Sequence, residues 1–156
     1  MELITTRVCM ASQIGVHGNL FGGEMMALLD ESAAAYSCQI CDTPRMVTKK
    51  VEEVIFHRPF KTGNLIKIYG GVEKIGNTSI TINLEARKHN VETGTQQLVC
   101  STKVIFVKIN DDGEPVPISD RVKTRYEERF LIYKRGLLTP EELEEEFKKK
   151  KQEKKN

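Results

Sequence analysis

The sequence predicts an α+β fold in which one antiparallel sheet wraps a single long helix. Three observations predict it. From about Gly22 to Cys41 the chain is rich in Met, Ala and Leu, has no proline and carries no cation, and from Ser32 to Cys41 it carries no charge at all. Such a stretch favours helix and reads as a helix enclosed on most sides. The stretch "TSITINLEARK" (78–88) sets Ile80, Ile82, Leu84 and Ala86 against Ser79, Thr81, Asn83, Glu85 and Arg87, the period of a strand with one buried face. Short turn signals separate the β-rich runs, with "GN" at 76–77 a hairpin signal.

Taken in order, "ELITTRVCM" (2–10) is a short β-rich run, and a loop punctuated by Gly and Asn follows at 15–19. After the helix and Pro44, "MVTKKVEEVIF" (46–56) reads as a strand, broken by "HRPFKTGN" with Pro59 and Gly63. "LIKIYGGVEKI" (65–75), the alternating 78–88 run and "QQLVCSTKVIFVKI" (96–109) complete the sheet. Residues 1–119 form this domain and 120–156 a C-terminal helical extension. In the extension Val122, Tyr126, Phe130 and Tyr133 recur at helical spacing. "TPEELEEEF" (139–147) carries a Thr cap, Pro at the first helical position and an acidic first turn, with three Glu–Lys i,i+4 pairs running into the lysine-rich end. That end reads as solvated.

Composition bounds the function. With 156 residues, 39% hydrophobic, the chain has enough material for one real core. A net charge of +2 gives no strong field, which argues against nucleic acid as a partner. No run approaches 18 apolar residues, and "MELITTRVCM" lacks the pattern of a signal peptide, so a cytoplasmic protein without a membrane span is expected. The four cysteines are then expected as thiols. Cys38 and Cys41 form a C-x-x-C without a second pair at zinc spacing, so no metal site is expected.

The residue that calls for chemistry is Asp30. It sits inside the helix, about 100° around from Glu31, so the two carboxylates face different surroundings. Neither propensity nor packing asks for a carboxylate there. One reading is an interface carboxylate accepting a hydrogen bond; the other is a functional base. Gly22 and Gly23 at the helix start permit close approach of another group, and the free amides of a helix start favour a developing negative charge. A base and such an oxyanion site suit the addition of water to a carbonyl.

The motifs "GNLFGGEMMALLDESAA", "RMVTKKVEEVIFHRPFKTGN" and "KIGNTSITI" together resemble the hot-dog superfamily, in particular the cytosolic acyl-CoA thioesterases of the YciA-like group. The features that carry the resemblance are G-x-x-F-G-G, an Asp seven residues past its last Gly, V-T-x-x-V-E followed by F-x-x-P, and G-x-T-S; it runs over about residues 5–118. It implies a curved antiparallel sheet gripping a long central helix, a dimer as the unit with assembly into a hexamer, and a site at the subunit interface. It implies acyl-CoA as substrate, coenzyme A being part of substrate and product rather than a separate cofactor. Carried over, Asp30 matches the catalytic carboxylate, as general base or as nucleophile. Gly23 matches the glycine whose amide polarises the thioester carbonyl, and Thr48 a polar position facing the Asp from the neighbouring subunit. Arg58, Lys61 and Lys74, with Gly76, Thr78 and Ser79, flank strand ends where the phosphates of coenzyme A would lie. The chain departs from many relatives in having Gly15 where they have Asn.

Two rival functions follow. A non-catalytic acyl-CoA sensor would have no need of Asp30 beside a Gly-Gly helix start. A hot-dog hydroxyacyl dehydratase would pair a His with an acid, and only His17 lies near the helix.

Overall fold

The computed structural model describes residues 1–134, together with Lys149 and Gln152. The elements are β1 (Glu2–Val8), a 3-10 turn (Ala11–Gln13), α1 (Gly22–Cys41), β2 (Met46–Val51), β3 (Ile55–Phe56), β4 (Leu65–Ile75), β5 (Ser79–His89), β6 (Gln96–Lys108) and α2 (Asp120–Lys134). The charged helix expected over 139–147 lies outside the described residues, as does most of the lysine-rich end.

The six strands form one sheet in the order β1-β4-β5-β6-β2, with β3 also paired to β6, and every pairing is antiparallel. This is the hot-dog arrangement, with α1 lying against β1, β2, β4, β5 and β6. The alternation read in β5 sets the two faces. Ile80, Ile82, Leu84 and Ala86 are buried under α1, as are Ile66 and Ile68 of β4 and Val104 and Phe106 of β6. The other face is polar and charge-paired. Lys103 Nζ lies 2.7 Å from Glu73 Oε2, Arg87 pairs with Glu85, and the Arg87 guanidinium lies 4.3 Å from the centre of the Tyr69 ring.

The helix is less enclosed than its composition predicts. Met25, Leu29, Ser32, Ala33, Tyr36, Ser37 and Cys41 form a buried stripe at helical spacing. Met26 is 47% exposed, and Ala27, Glu31 and Ala35 are exposed with it. A single sheet covers one face of a cylinder. The second face, small and mostly uncharged, is left uncovered by this chain. The helix ends at Asp42, whose φ of 52° is left-handed and whose amide donates to the Cys38 carbonyl.

The run expected as one strand at 46–56 divides into β2 and β3. Thr48 faces Phe106 while Lys50 faces Ile105, which leaves Lys49 as an extra residue, a β-bulge. Beyond Val51 the chain leaves the regular ladder, with the Glu52 amide donating to the Lys103 carbonyl at 2.8 Å, and rejoins β6 at β3, where Ile55 pairs with Ser101 and Phe56 with Cys100.

Met1–Ile118 forms one compact unit, and the residues from Ser119 onward a second. In the second unit α2 starts from a Ser119 cap, whose hydroxyl accepts from the Val122 amide at 3.4 Å. No helix among the described residues is long and apolar enough to cross a membrane.

Candidate functional site

The start of α1 is built without a side-chain cap. Phe21 occupies the cap position, and its carbonyl accepts from the amides of Glu24 (3.0 Å) and Met25 (3.2 Å). The amides of Gly22 and Gly23 find no acceptor among the described residues. Gly23 is exposed, and a Cβ there would stand 2.8 Å from the exposed Phe21 ring, which would have to turn aside. At Gly22 a Cβ would meet only the Phe56 ring, at an ordinary 3.7 Å. Two unsatisfied amides at the positive end of a twenty-residue helix make a place for negative charge.

Asp30 lies two turns along, half-buried at the border between the covered and uncovered faces. The Thr48 hydroxyl donates to Asp30 Oδ1 at 2.7 Å. This corrects the expected placement of Thr48: it reaches Asp30 within its own chain rather than from a neighbour. The bulge at Lys49 explains how, since an extra residue re-aims the side chain beside it. Glu31 points elsewhere, 74% exposed at its side chain and 3.8 Å from Arg7. On the β2 side of Asp30, an apolar cavity of about 270 Å³ opens between the helix and the sheet.

The expected phosphate contacts do not form one group. Arg58 and Lys61 stand near the start of α1, where Arg58 Nη1 donates to the Leu98 carbonyl (3.0 Å) and Lys61 Nζ to Asn19 Oδ1 (3.0 Å). Asn19 and Arg58 line a second cavity, of about 390 Å³, with Gly22 and Phe56. Nearby, His57 Nε2 lies 3.2 Å from the Ser101 hydroxyl. Lys74, Gly76, Thr78 and Ser79 belong instead to the β4–β5 turn, closed by the Gly76 amide donating to the Ser79 carbonyl at 2.8 Å. Ser79 pairs with Val107, whereas the Arg58 amide bonds to Val99. Eight residues of extended β6 separate those positions, about 27 Å. Within one chain, Gly23, Arg58 and Lys61 therefore mark one end of the sheet, and Asp30, Thr48, Thr78 and Ser79 the other.

Sequence reasoning missed Asn19 as the partner of Lys61, and it missed the apolar wall beside Asp30. The tandem lysines at 49–50, which interrupt the alternation of "VTKKV", were the available signal for the bulge. His17 is exposed in its loop.

A family profile described as "Thioesterase superfamily" matches residues 17–95. The acyl-CoA thioester hydrolase YciA of Salmonella typhimurium is 31% identical over 120 residues, covering 75% of this chain and 90% of that protein. The cytosolic acyl coenzyme A thioester hydrolase of Rattus norvegicus is 30% identical over 134 residues, 79% of this chain and 35% of the longer rat protein. Among solved structures, a hexameric hotdog fold thioesterase of Campylobacter jejuni superposes with a TM-score of 0.71 at 30% identity, covering 81% of this chain and 97% of that one.

Proposed function

Because the chain belongs to the thioesterase superfamily, we propose that it hydrolyses acyl-CoA, giving free coenzyme A and a carboxylic acid. The observation that carries this reading is the Thr48–Asp30 pair, a held carboxylate on the rim of an apolar cavity. Asp30 accepts a proton from water as the water oxygen bonds to the thioester carbon. The carbonyl oxygen becomes an oxyanion; the C–S bond then breaks, and the coenzyme A thiolate takes up a proton. In the alternative course Asp30 Oδ attacks the carbonyl itself, the thiolate leaves, and water cleaves the resulting anhydride. In both courses Thr48 fixes the carboxylate and leaves its second oxygen to react.

The oxyanion needs a donor at about 3 Å, and the Gly23 amide is free for that role. It does not serve the Asp30 of its own chain. Seven residues of helix rise about 10 Å. Helix amides also point toward the N-terminus, so the Gly23 N–H is aimed away from Asp30. A second copy laid antiparallel along the uncovered face of α1 would bring its Gly23 to this chain's Asp30. The same operation would bring its Arg58 and Lys61 to the end that holds Thr78 and Ser79. The reading is thus a homodimer with two composite sites. Assembly of such dimers into a hexamer is supported by the hexameric relative.

A non-catalytic acyl-CoA sensor is disfavoured by the Thr48–Asp30 bond, because binding alone has no use for an oriented carboxylate. The test is thiol release from acyl-CoA by the purified chain. Release that depends on Asp30 supports the proposal, and tight acyl-CoA binding without release overturns it.

A further inference from the structure

Two cavities meet at one residue. The cavity of about 270 Å³ beside Asp30 lies on the α1 side of the sheet. Another, of about 470 Å³, lies on the face turned away from α1, where Asn83, Glu85, Ser101 and Lys103 line it. Thr102 lines both. It is 8% exposed, in a row of β6 whose other buried members are Cys100, Val104 and Phe106. A valine would fill that place, and a buried hydroxyl is costly unless it is bonded. The sheet is open at this point. The Glu52 amide bonds to the Lys103 carbonyl, and the ladder resumes where Ile55 pairs with Ser101. Glu53 and Val54, between them, stand outside the ladder. The Thr102 hydroxyl spans this window, donating to the Glu52 carbonyl at 3.3 Å. Hydroxyl bonds cluster at about 2.7–2.8 Å, so this one is long, and a water can take its place between the two oxygens.

We propose that this window is the port through which the hydrolytic water enters, and that Thr102 is the positioning residue that admits the water and hands it to Asp30. The proposal rests on the hydrolase reading above. The outer mouth is wet, with Glu53 exposed and Ser101 and Lys103 polar. Inside, the walls are Leu29, Val51, Val54 and Val104. A water in such surroundings needs about three polar partners. The Thr102 hydroxyl and the Glu52 carbonyl supply two, and the Asp30 carboxylate on the same cavity supplies the next. A route through the sheet stays open while substrate covers the site from the uncovered face of α1.

The experiment measures kcat and KM for thiol release by the full chain. The substrate is whichever of acetyl-, butanoyl- and octanoyl-CoA the unmutated chain cleaves fastest. Thr102→Val keeps the shape and removes the hydroxyl. It should lower kcat about tenfold, the worth of one hydrogen bond, with KM unchanged. Thr102→Ser returns the hydroxyl and should recover most of that loss, whereas a merely structural threonine would show equal losses in the two variants. Ser101→Phe puts a ring over the outer mouth, on the far face of the sheet from Asp30, and should also lower kcat at unchanged KM. Ser101 is half-buried outside the core, so this variant decides even if Thr102→Val fails to fold. Equal kcat in Thr102→Val and Thr102→Ser, or a Ser101→Phe chain as fast as the unmutated one, overturns the port and leaves the hydrolase reading standing. No thiol release from any of the three substrates by the unmutated chain overturns both.

Discussion

Mixing two inactive variants tests whether the site is composite. Asp30→Asn removes the base. Gly23→Pro removes the amide proposed to bind the oxyanion, at a helix position where that N–H has no intrahelical partner and proline is tolerated. Gly23→Ala is its control: it introduces the same Cβ, 2.8 Å from the exposed Phe21 ring, but keeps the N–H. Losing one oxyanion donor is expected to lower kcat by 10²–10³-fold, on the order of 2.7–4 kcal/mol. Gly23→Ala is expected to lose far less. If the amide of one chain serves the carboxylate of the other, a heterodimer of Asp30→Asn and Gly23→Pro has one site with both groups intact and one with neither. Co-expression at equal levels gives heterodimers in half the population, so the mixture should recover about one quarter of unmutated activity. Turnover of acyl-CoA by the unselected co-expressed mixture is the assay, and a different tag on each variant shows that heterodimers are present. Activity no greater than the mean of the two parents, with heterodimers demonstrably present, would refute the argument from the 10 Å rise and the direction of the amide.

Asp30→Asn is expected to keep the fold and lose 10²–10⁴-fold in turnover, whereas Glu31→Gln, disturbing only an exposed pair with Arg7, should change turnover and melting temperature little. At Gly15 an added Cβ meets nothing nearer than 3.6 Å, so Gly15→Asn should melt close to the unmutated chain. If the Asn of the relatives orients substrate or water, the same variant should raise kcat; a large fall in melting temperature would contradict the space seen here. Burial pushes the Cys100 thiol from 9.0 up to about 11. The unfolded chain therefore releases this proton first as pH rises, and stability present below about pH 9 is lost toward pH 11. Lys103, held protonated chiefly by its hydrogen bond to Glu73, adds a loss in the same direction. Melting curves across that range should flatten in part for Cys100→Ala, and an identical pH slope would contradict the assignment.

Much of the fold is legible in the sequence because local rules and tertiary demand agree there. The ends of α1 fall at Gly22 and Cys41, as the composition marks them, and β5 alternates as its residues require. The stretch 46–56 reads as one strand because β content alone cannot show a bulge, and Lys49 moves the later side chains of β2 by one place. The helix looked enclosed because its uncovered face has the small, uncharged residues of a buried one; sequence composition does not say which chain provides the cover. Asp30 and Thr48 were both legible as candidates, but their direct bond within one chain depended on the re-aimed strand. The cations and hydroxyls grouped in sequence as one phosphate site separate to two ends of β6, a matter of strand order that no local pattern encodes.

The bare start of α1 has a consequence for folding. A Ser, Thr, Asp or Asn at position 21 would close the first turn and add about 1 kcal/mol of stability; Phe21 contributes no such bond. A cap of that kind would also occupy the amides proposed to receive an oxyanion, and Asp would bring a competing negative charge. The first turn is therefore held by the two bonds that the Phe21 carbonyl accepts and by Met25 and Leu29, buried further down the helix, with no side-chain cap to add to them. Its amides should exchange with solvent hydrogen faster than those of the next turn. The turn that lacks a side-chain cap is the turn whose free amides are proposed to receive charge.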